Sequence, residues 1–150
     1  MNQRKPFEPR SRARRRVLQA LYQWQITGQS ADDILQQFRA VQDMQGVDED
    51  YFETLLRGIV AGHEELDARL APFLDRPMAQ VDVMERVVLR IGAYELLNCP
   101  DLPYPVVLDE CVDLAHRFGS EQGHTYVNAV LDKAARQWRS NAEAARPEEP

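Results

Sequence analysis

The sequence predicts an all-α protein, and three observations carry that prediction. Apolar residues recur at the helical period in one segment after another, as Val17, Leu21 and Trp24 do at i, i+4 and i+7. Glycines, prolines and capping residues fall where those segments begin and end. No stretch alternates apolar and polar residues between hairpin turns, so no sheet is expected. The chain has 150 residues, 44% of them hydrophobic and 28% charged, enough for a real core and ordinary for a globular protein.

Residues 1–10 hold Pro6 and Pro9 among charges and read as a flexible basic arm. The first helix runs from about Ser11, a capping residue type, to Gly28, which suits a helix end. Leu18 and Tyr22 flank its apolar face, and Ala13 and Ala20 permit close packing. Ser30 opens a second helix, with Asp32 and Asp33 in its first turn and Ile34, Leu35, Phe38 and Val41 on one stripe; Gly46 ends it. Asp48, Glu49 and Asp50 start a third, as acids at a helix N-terminus should. Its period holds through Tyr51, Phe52, Leu55, Leu56, Ile59, Val60, Leu66 and Leu70, until Pro72. Gly58 and Gly62 lie four apart there, a spacing that lets a neighbouring helix approach. Pro72 and Pro77 mark a linker, with Phe73 and Leu74 as anchors. It separates residues 11–76 from residues 77–138.

The next helix covers about Val81 to Asn98. Its middle, Val87 to Tyr94, is apolar on nearly all sides, which predicts a central, buried helix. Arg90 within it needs a partner, Glu95 or another acid. Pro100, Pro103 and Pro105 make a stiff connection. Leu108, Cys111, Val112, Ala115 and Phe118 form the next stripe, up to Gly119. After a short turn at Gly123, Val127, Val130, Leu131 and Ala134 make the last helix, to about Trp138. Residues 139–150 lose periodicity and are expected to be a disordered tail.

Charge is unevenly spread. Against a net charge of −6, residues 1–16 carry +6 (Arg4, Lys5, Arg10, Arg12, Arg14, Arg15 and Arg16 against Glu8), leaving −12 on the rest. A basic arm on an acidic body points to a nucleic acid or another acidic partner for the arm. Arginines at the start of a helix oppose its dipole, which strengthens the case for a bound anion. No apolar run is long enough to span a membrane, and the N-terminus lacks the apolar segment of a secretory signal. Cys99 and Cys111 have no metal or redox spacing and read as buried free thiols of a reducing cytosol. The expected location is cytoplasmic.

The chemistry of enzymes is missing from the pattern. The histidines form no metal set: His63-Glu64-Glu65-Leu66-Asp67 reads as a solvated helix face, and His116 as part of a polar side. His124 reads as a capping or hydrogen-bonding residue. There is no Gly-rich phosphate loop and no nucleophile elbow. Neither a cofactor nor a metal is expected, and the chain reads as not an enzyme. Phe118-Gly119-Ser120-Glu121-Gln122-Gly123-His124-Thr125-Tyr126 does suit RNA, because it sets two aromatics around a polar turn. Exposed aromatics stack on unpaired bases and nearby amides read base edges. Phe118 also continues the apolar stripe of its helix and reads first as core; Tyr126 fits a half-exposed site equally well.

Several segments together resemble one family. They are Arg12-Ala13-Arg14 with Gln19-Ala20-Leu21-Tyr22-Gln23-Trp24; Tyr51-Phe52 with Leu55-Leu56-Arg57-Gly58; Glu85 to Leu96; Val107 to Ala115; Phe118-Gly119; and Tyr126 to Asp132. In this order and spacing, over about residues 10–135, they resemble the bacterial NusB family of transcription antitermination factors. The resemblance implies two packed helical bundles forming one compact unit of about seven helices. It implies binding, without catalysis, to the boxA element of ribosomal RNA leader transcripts. It also implies partnership with NusE, a small-subunit ribosomal protein, and assembly of an antitermination complex on RNA polymerase. Carried over by position, the RNA side comprises Arg10, Arg12, Arg14, Tyr22, Phe118, Gln122 and Tyr126. Arg15 and Arg16 join it on charge alone, and Glu85 is the candidate NusE contact. Ser11, Asp109, Gln122 and Ala129 depart from common family residues, which bears on base preference at the Gln122 turn. The free chain is expected to be a monomer or a weak homodimer; dimerisation through the arginine surface would mask the RNA site.

Two rival readings remain open. The acidic body can dock a basic ribosomal protein without sequence-specific RNA binding. Alternatively the chain can be the RNA-binding domain of a ribosomal RNA methyltransferase, where NusB-like domains occur, although no Rossmann-type segment follows.

Overall fold

The computed structural model describes residues 8–145, with side chains for residues 8–140. Six helices follow one another: α1 (Glu8–Thr27), α2 (Ala31–Val41), α3 (Glu49–Leu70), α4 (Val83–Asn98), α5 (Tyr104–Phe118) and α6 (Gly123–Ala145). Short 3-10 turns at Ala71–Phe73 and Met78–Gln80 occupy the linker between α3 and α4. No strand occurs among the described residues. The all-α expectation therefore holds, with six helices and two short turns where about seven helices are expected. The chain divides into two compact units between His63 and Glu64, inside α3.

In the first unit, α1 and α2 form an antiparallel pair. Gly28 closes α1 at φ +72°, a left-handed conformation natural to glycine, and its N–H reaches the Trp24 carbonyl at 2.9 Å. Ser30 caps α2 by accepting from the Asp33 N–H at 3.1 Å. Gln23 then donates to Gln37 at 2.7 Å across the pair. Asp48 caps α3 by accepting from the Tyr51 N–H at 3.0 Å, while its own N–H reaches the Pro9 carbonyl at 3.0 Å. The start of α3 is thereby tied to the start of α1. Ile34, Phe52, Leu55, Leu56 and Ile59 are fully enclosed in this unit's core. His63 is not the solvated residue its neighbours suggest. Its ring meets Trp24 edge-on at 4.8 Å, and its Nδ1 donates to the Val60 carbonyl at 2.9 Å.

In the second unit, α4, α5 and α6 pack on one another. Asp82 caps α4, accepting from the Met84 and Glu85 N–H groups at 3.1 and 3.3 Å. Every residue from Val87 to Ala93 is buried, as a helix apolar on all sides requires. Arg90 finds its acid in Asp67, one turn before the end of α3, through two bonds of 2.8 Å. A close approach of the kind expected at Gly58 and Gly62 is found at Gly92 and not at Gly62. Open space faces Gly62, whereas a Cβ on Gly92 would meet Leu131 at 2.6 Å and the Cys111 thiol sulfur at 3.1 Å. Cys111 is buried and Cys99 half-buried, and no disulfide joins them.

Two expected boundaries move. Residues 1–7 of the arm and 146–150 of the tail lie outside the described residues, but Glu8, Pro9 and Arg10 form the first turn of α1. Proline fits a helix's first turn, and an acid there favours the helix dipole. At the other end α6 continues past Trp138 to Ala145. Residues 139–145 contain good helix formers and no glycine or proline. Arg139 also anchors this stretch: its guanidinium donates to the carbonyls of Leu96, Cys99 and Leu102 at 3.0, 3.3 and 2.8 Å.

Candidate nucleic-acid interface

The candidate residues fall into two groups, one in each unit. The first lies on α1. Residues 12, 15, 19, 22 and 26 are spaced alternately three and four apart, so they share one side of the helix. That stripe carries the guanidiniums of Arg12 and Arg15, the Gln19 amide, then Tyr22 and Ile26, which are 42% and 61% exposed. A cationic half followed by an aromatic and apolar half is an arrangement that meets phosphate at one end and bases at the other. Ile26 was legible as the residue four beyond Tyr22, yet it is not among the sequence candidates.

Each of the five candidate arginines has a protein partner. Arg10 lies 3.7 Å from the Asp48 carboxylate and over the Tyr51 ring at 4.5 Å. Arg12 and Arg15 both donate to Glu8 Oε1, each at 3.4 Å. Partial burial pushes the Glu8 carboxyl upward, but hydrogen bonds from Arg12 and then Arg15 outweigh it and hold the carboxyl below its usual range. Arg16 clasps the Asp43 carbonyl with two bonds of 3.1 and 2.9 Å. Arg14 is placed differently from the other four. It is 3% exposed, with its guanidinium 5.5 Å from the centre of the Tyr51 ring. The cause is its register: Arg14 precedes Val17 and Leu18 by three and four residues, which puts it on the apolar side of α1. Gly46 (φ +76°) lets the loop before α3 pass close to Arg12, whose guanidinium a Cβ there would overlap.

The second group surrounds the turn between α5 and α6. Gln122 is exposed, while Phe118 and Tyr126 are half-buried. Tyr126 is fixed by two residues that sequence reading did not find. Its hydroxyl donates to Asp75 Oδ1 at 3.0 Å, and the Arg76 guanidinium lies over its ring at 4.9 Å. Arg76 in turn grips Asp75 with bonds of 2.7 and 3.0 Å. Arg76 and then Tyr126 pull the Asp75 carboxyl down to about 2. Burial, and next the bond to Asp75, push the Tyr126 phenol above its ordinary value. Nothing in the spacing of residues 75, 76 and 126 foretells this; only the fold brings them together.

Glu85, the candidate partner contact, lies beside this turn. It is 8% exposed, and its Oε2 accepts from the Ser120 hydroxyl at 3.3 Å. A Cβ on Gly123 would come within 2.9 Å of the same oxygen. Glu85 thus lies against the inner side of the Gln122 turn. His116 and His124 pack edge to face at 5.2 Å across the turn, with His124 Nδ1 buried and unbonded among the described residues. No group of three or more potential metal ligands occurs among the described residues.

An all-helical protein with a guanidinium-aromatic stripe and an aromatic-flanked polar turn has the chemistry that suits a nucleic-acid partner. Comparison with known proteins places it more narrowly. The NusB family matches residues 11–136, and the chain belongs to that family. It is 54% identical over 130 residues to the transcription antitermination protein NusB of Xanthomonas campestris pv. campestris, covering 87% of this chain and 82% of the relative. The NusB protein of Xanthomonas oryzae pv. oryzae is equally similar, with 83% of its length covered. Among solved structures, T. maritima NusB superposes with a TM-score of 0.76 at 30% identity, over 86% of this chain and 92% of that one. A structure of antitermination factors NusB and NusE in complex with double-stranded RNA shares the fold, with a TM-score of 0.78 at 24% identity over 85% and 96% of the two chains.

Proposed function

We propose that this chain is an RNA-binding transcription antitermination factor. In this reading it binds boxA of ribosomal RNA leader transcripts together with NusE, the small-subunit ribosomal protein, and helps assemble the antitermination complex on RNA polymerase. The observation that carries the reading is the family match over residues 11–136, which takes in both α1 and the α5–α6 turn. The relatives named as antitermination proteins, and the related NusB found with NusE and RNA, support it. It acts by binding and not by catalysis, in the bacterial cytoplasm where transcripts are made; no described helix is long and apolar enough to cross a membrane.

Arg10, Arg12 and Arg15 neutralise phosphates, with Arg16 beside them, and Tyr22 stacks on an unpaired base. At the other group Gln122 reads a base edge, and Phe118 and Tyr126 supply ring surface. Arg14 holds α1 to the Tyr51 ring, and Glu85 sets the shape of the Gln122 turn; both act through packing. The test is fluorescence anisotropy with labelled boxA RNA and a scrambled control, with and without NusE. Preference for boxA that NusE strengthens is the expected result. Equal binding to both RNAs would reject base reading and favour a protein-docking role for the acidic body.

A further inference from the structure

We propose that Glu8 is a built-in competitor for RNA phosphate on α1, an inference that rests on the phosphate-binding role of Arg12 and Arg15. Glu8 stands in the first turn, with Arg12 one turn on and Arg15 two turns on along the same side. A single oxygen, Oε1, accepts from Arg12 Nε and from Arg15 Nη2. That is the placement a non-bridging phosphate oxygen takes between two guanidiniums. The carboxylate therefore occupies the very donors a phosphate needs.

The contact is built to be held and also to be displaced. The helix dipole favours an acid in the first turn, and the ring of Pro9 fixes the backbone just after Glu8. Yet both bonds are 3.4 Å long, well beyond the 2.7–2.9 Å of a strong charge-assisted pair. Side-chain exposures of 34% for Glu8 and 45% for Arg12 leave water able to screen the pair. A phosphate entering between the arginines must expel Glu8, whose charge would otherwise repel it. Binding then exchanges one anion for another, so it gains less and depends less on salt than two unpaired arginines would allow.

The experiment titrates labelled boxA RNA with the full chain, with Glu8→Gln and with Glu8→Ala, at two salt concentrations. Helicity is followed by circular dichroism. Asp132→Asn, which removes one negative charge from an exposed pair on α6, is the charge-matched control. Both Glu8 variants should bind about three- to tenfold more tightly at low salt, as expected from freeing one exposed and one part-buried ion pair, and with a steeper salt slope. The gain should vanish when Arg12→Ala and Arg15→Ala are also present. Unchanged or weaker binding by the Glu8 variants overturns the proposal while leaving the RNA reading intact. So does an equal gain from Asp132→Asn, or a gain that persists without the two arginines. Arg12→Ala plus Arg15→Ala binding RNA as the unaltered chain does would instead overturn the phosphate role on which the proposal rests.

Discussion

Tyr126 shows how much one side chain can owe to residues far from it in sequence. Its hydroxyl is committed to Asp75 and its ring is partly covered by Arg76. Asp75→Asn removes the charge that disfavours tyrosinate, so the Tyr126 phenol should ionise closer to its ordinary value of 10.0. A spectrophotometric tyrosinate titration of the two proteins measures the difference, and identical curves would discount the hydrogen bond. The sign for Asp75 follows from its lowered value. Its contribution is fully present above 3.8, its ordinary pKa, and fades only as pH falls towards about 2. Acidification to pH 4.5 should therefore leave the Tyr126 environment unchanged, as its near-ultraviolet dichroism would report. A second test concerns Gly46: Gly46→Ala forces an L-residue into left-handed backbone and pushes Arg12 aside. A loss of about 1–2 kcal/mol in denaturant unfolding is expected.

Helices are where the sequence is most legible, and α4 is the clearest case. A run apolar on all sides declared a buried helix, and a lone Arg90 within it declared a buried partner. What the sequence withheld was the partner's identity. Asp67 belongs to a helix whose periodicity carries no sign of where it will meet α4. Asp67→Asn should cost about 2–3 kcal/mol, less than a fully enclosed pair would because Asp67 is partly exposed. Chemical unfolding checks it, with an unchanged m-value required for a two-state comparison. On α1 the legible and the hidden lie side by side. Position in the family pattern grouped Arg12 with Arg14, and charge alone added Arg15 and Arg16, whereas helical register separates Arg14 from the others. Phase angle, already present in the Val17–Leu21–Trp24 pattern, held the information that a count of arginines discards. The α5–α6 turn was legible as aromatics around a polar loop. Its bracing by Glu85 and by Asp75–Arg76 was not, because contacts across 35 and 51 residues follow from the fold and from no local spacing.

For the whole molecule the governing quantity is the charge contrast between a +6 N-terminal segment and a body of −12. The body repels a polyanion, so productive binding depends on the few guanidiniums that face outward. If Arg12 and Arg15 each neutralise one phosphate, replacing both with alanine should reduce the slope of log K against log salt by less than the about 1.4 that two unpaired cations give on single-stranded RNA, because Glu8 already neutralises part of their charge. Helicity should be preserved, because both side chains lie outside the core. An unchanged slope in the anisotropy titration would remove these two residues from the interface. The family match across both units implies that neither group of candidate residues is an isolated local feature.

Arg139 has a consequence for how short this chain can be made. Its guanidinium staples the carbonyls of Leu96, Cys99 and Leu102, at the end of α4 and in the passage to α5, to a helix that follows much later. Trimming back from Ala145 as far as Ser140 spares that staple, whereas one residue more sets three acceptors loose at once. The tolerance of the protein to C-terminal digestion should thus end in a step and not a slope, with the step at Arg139.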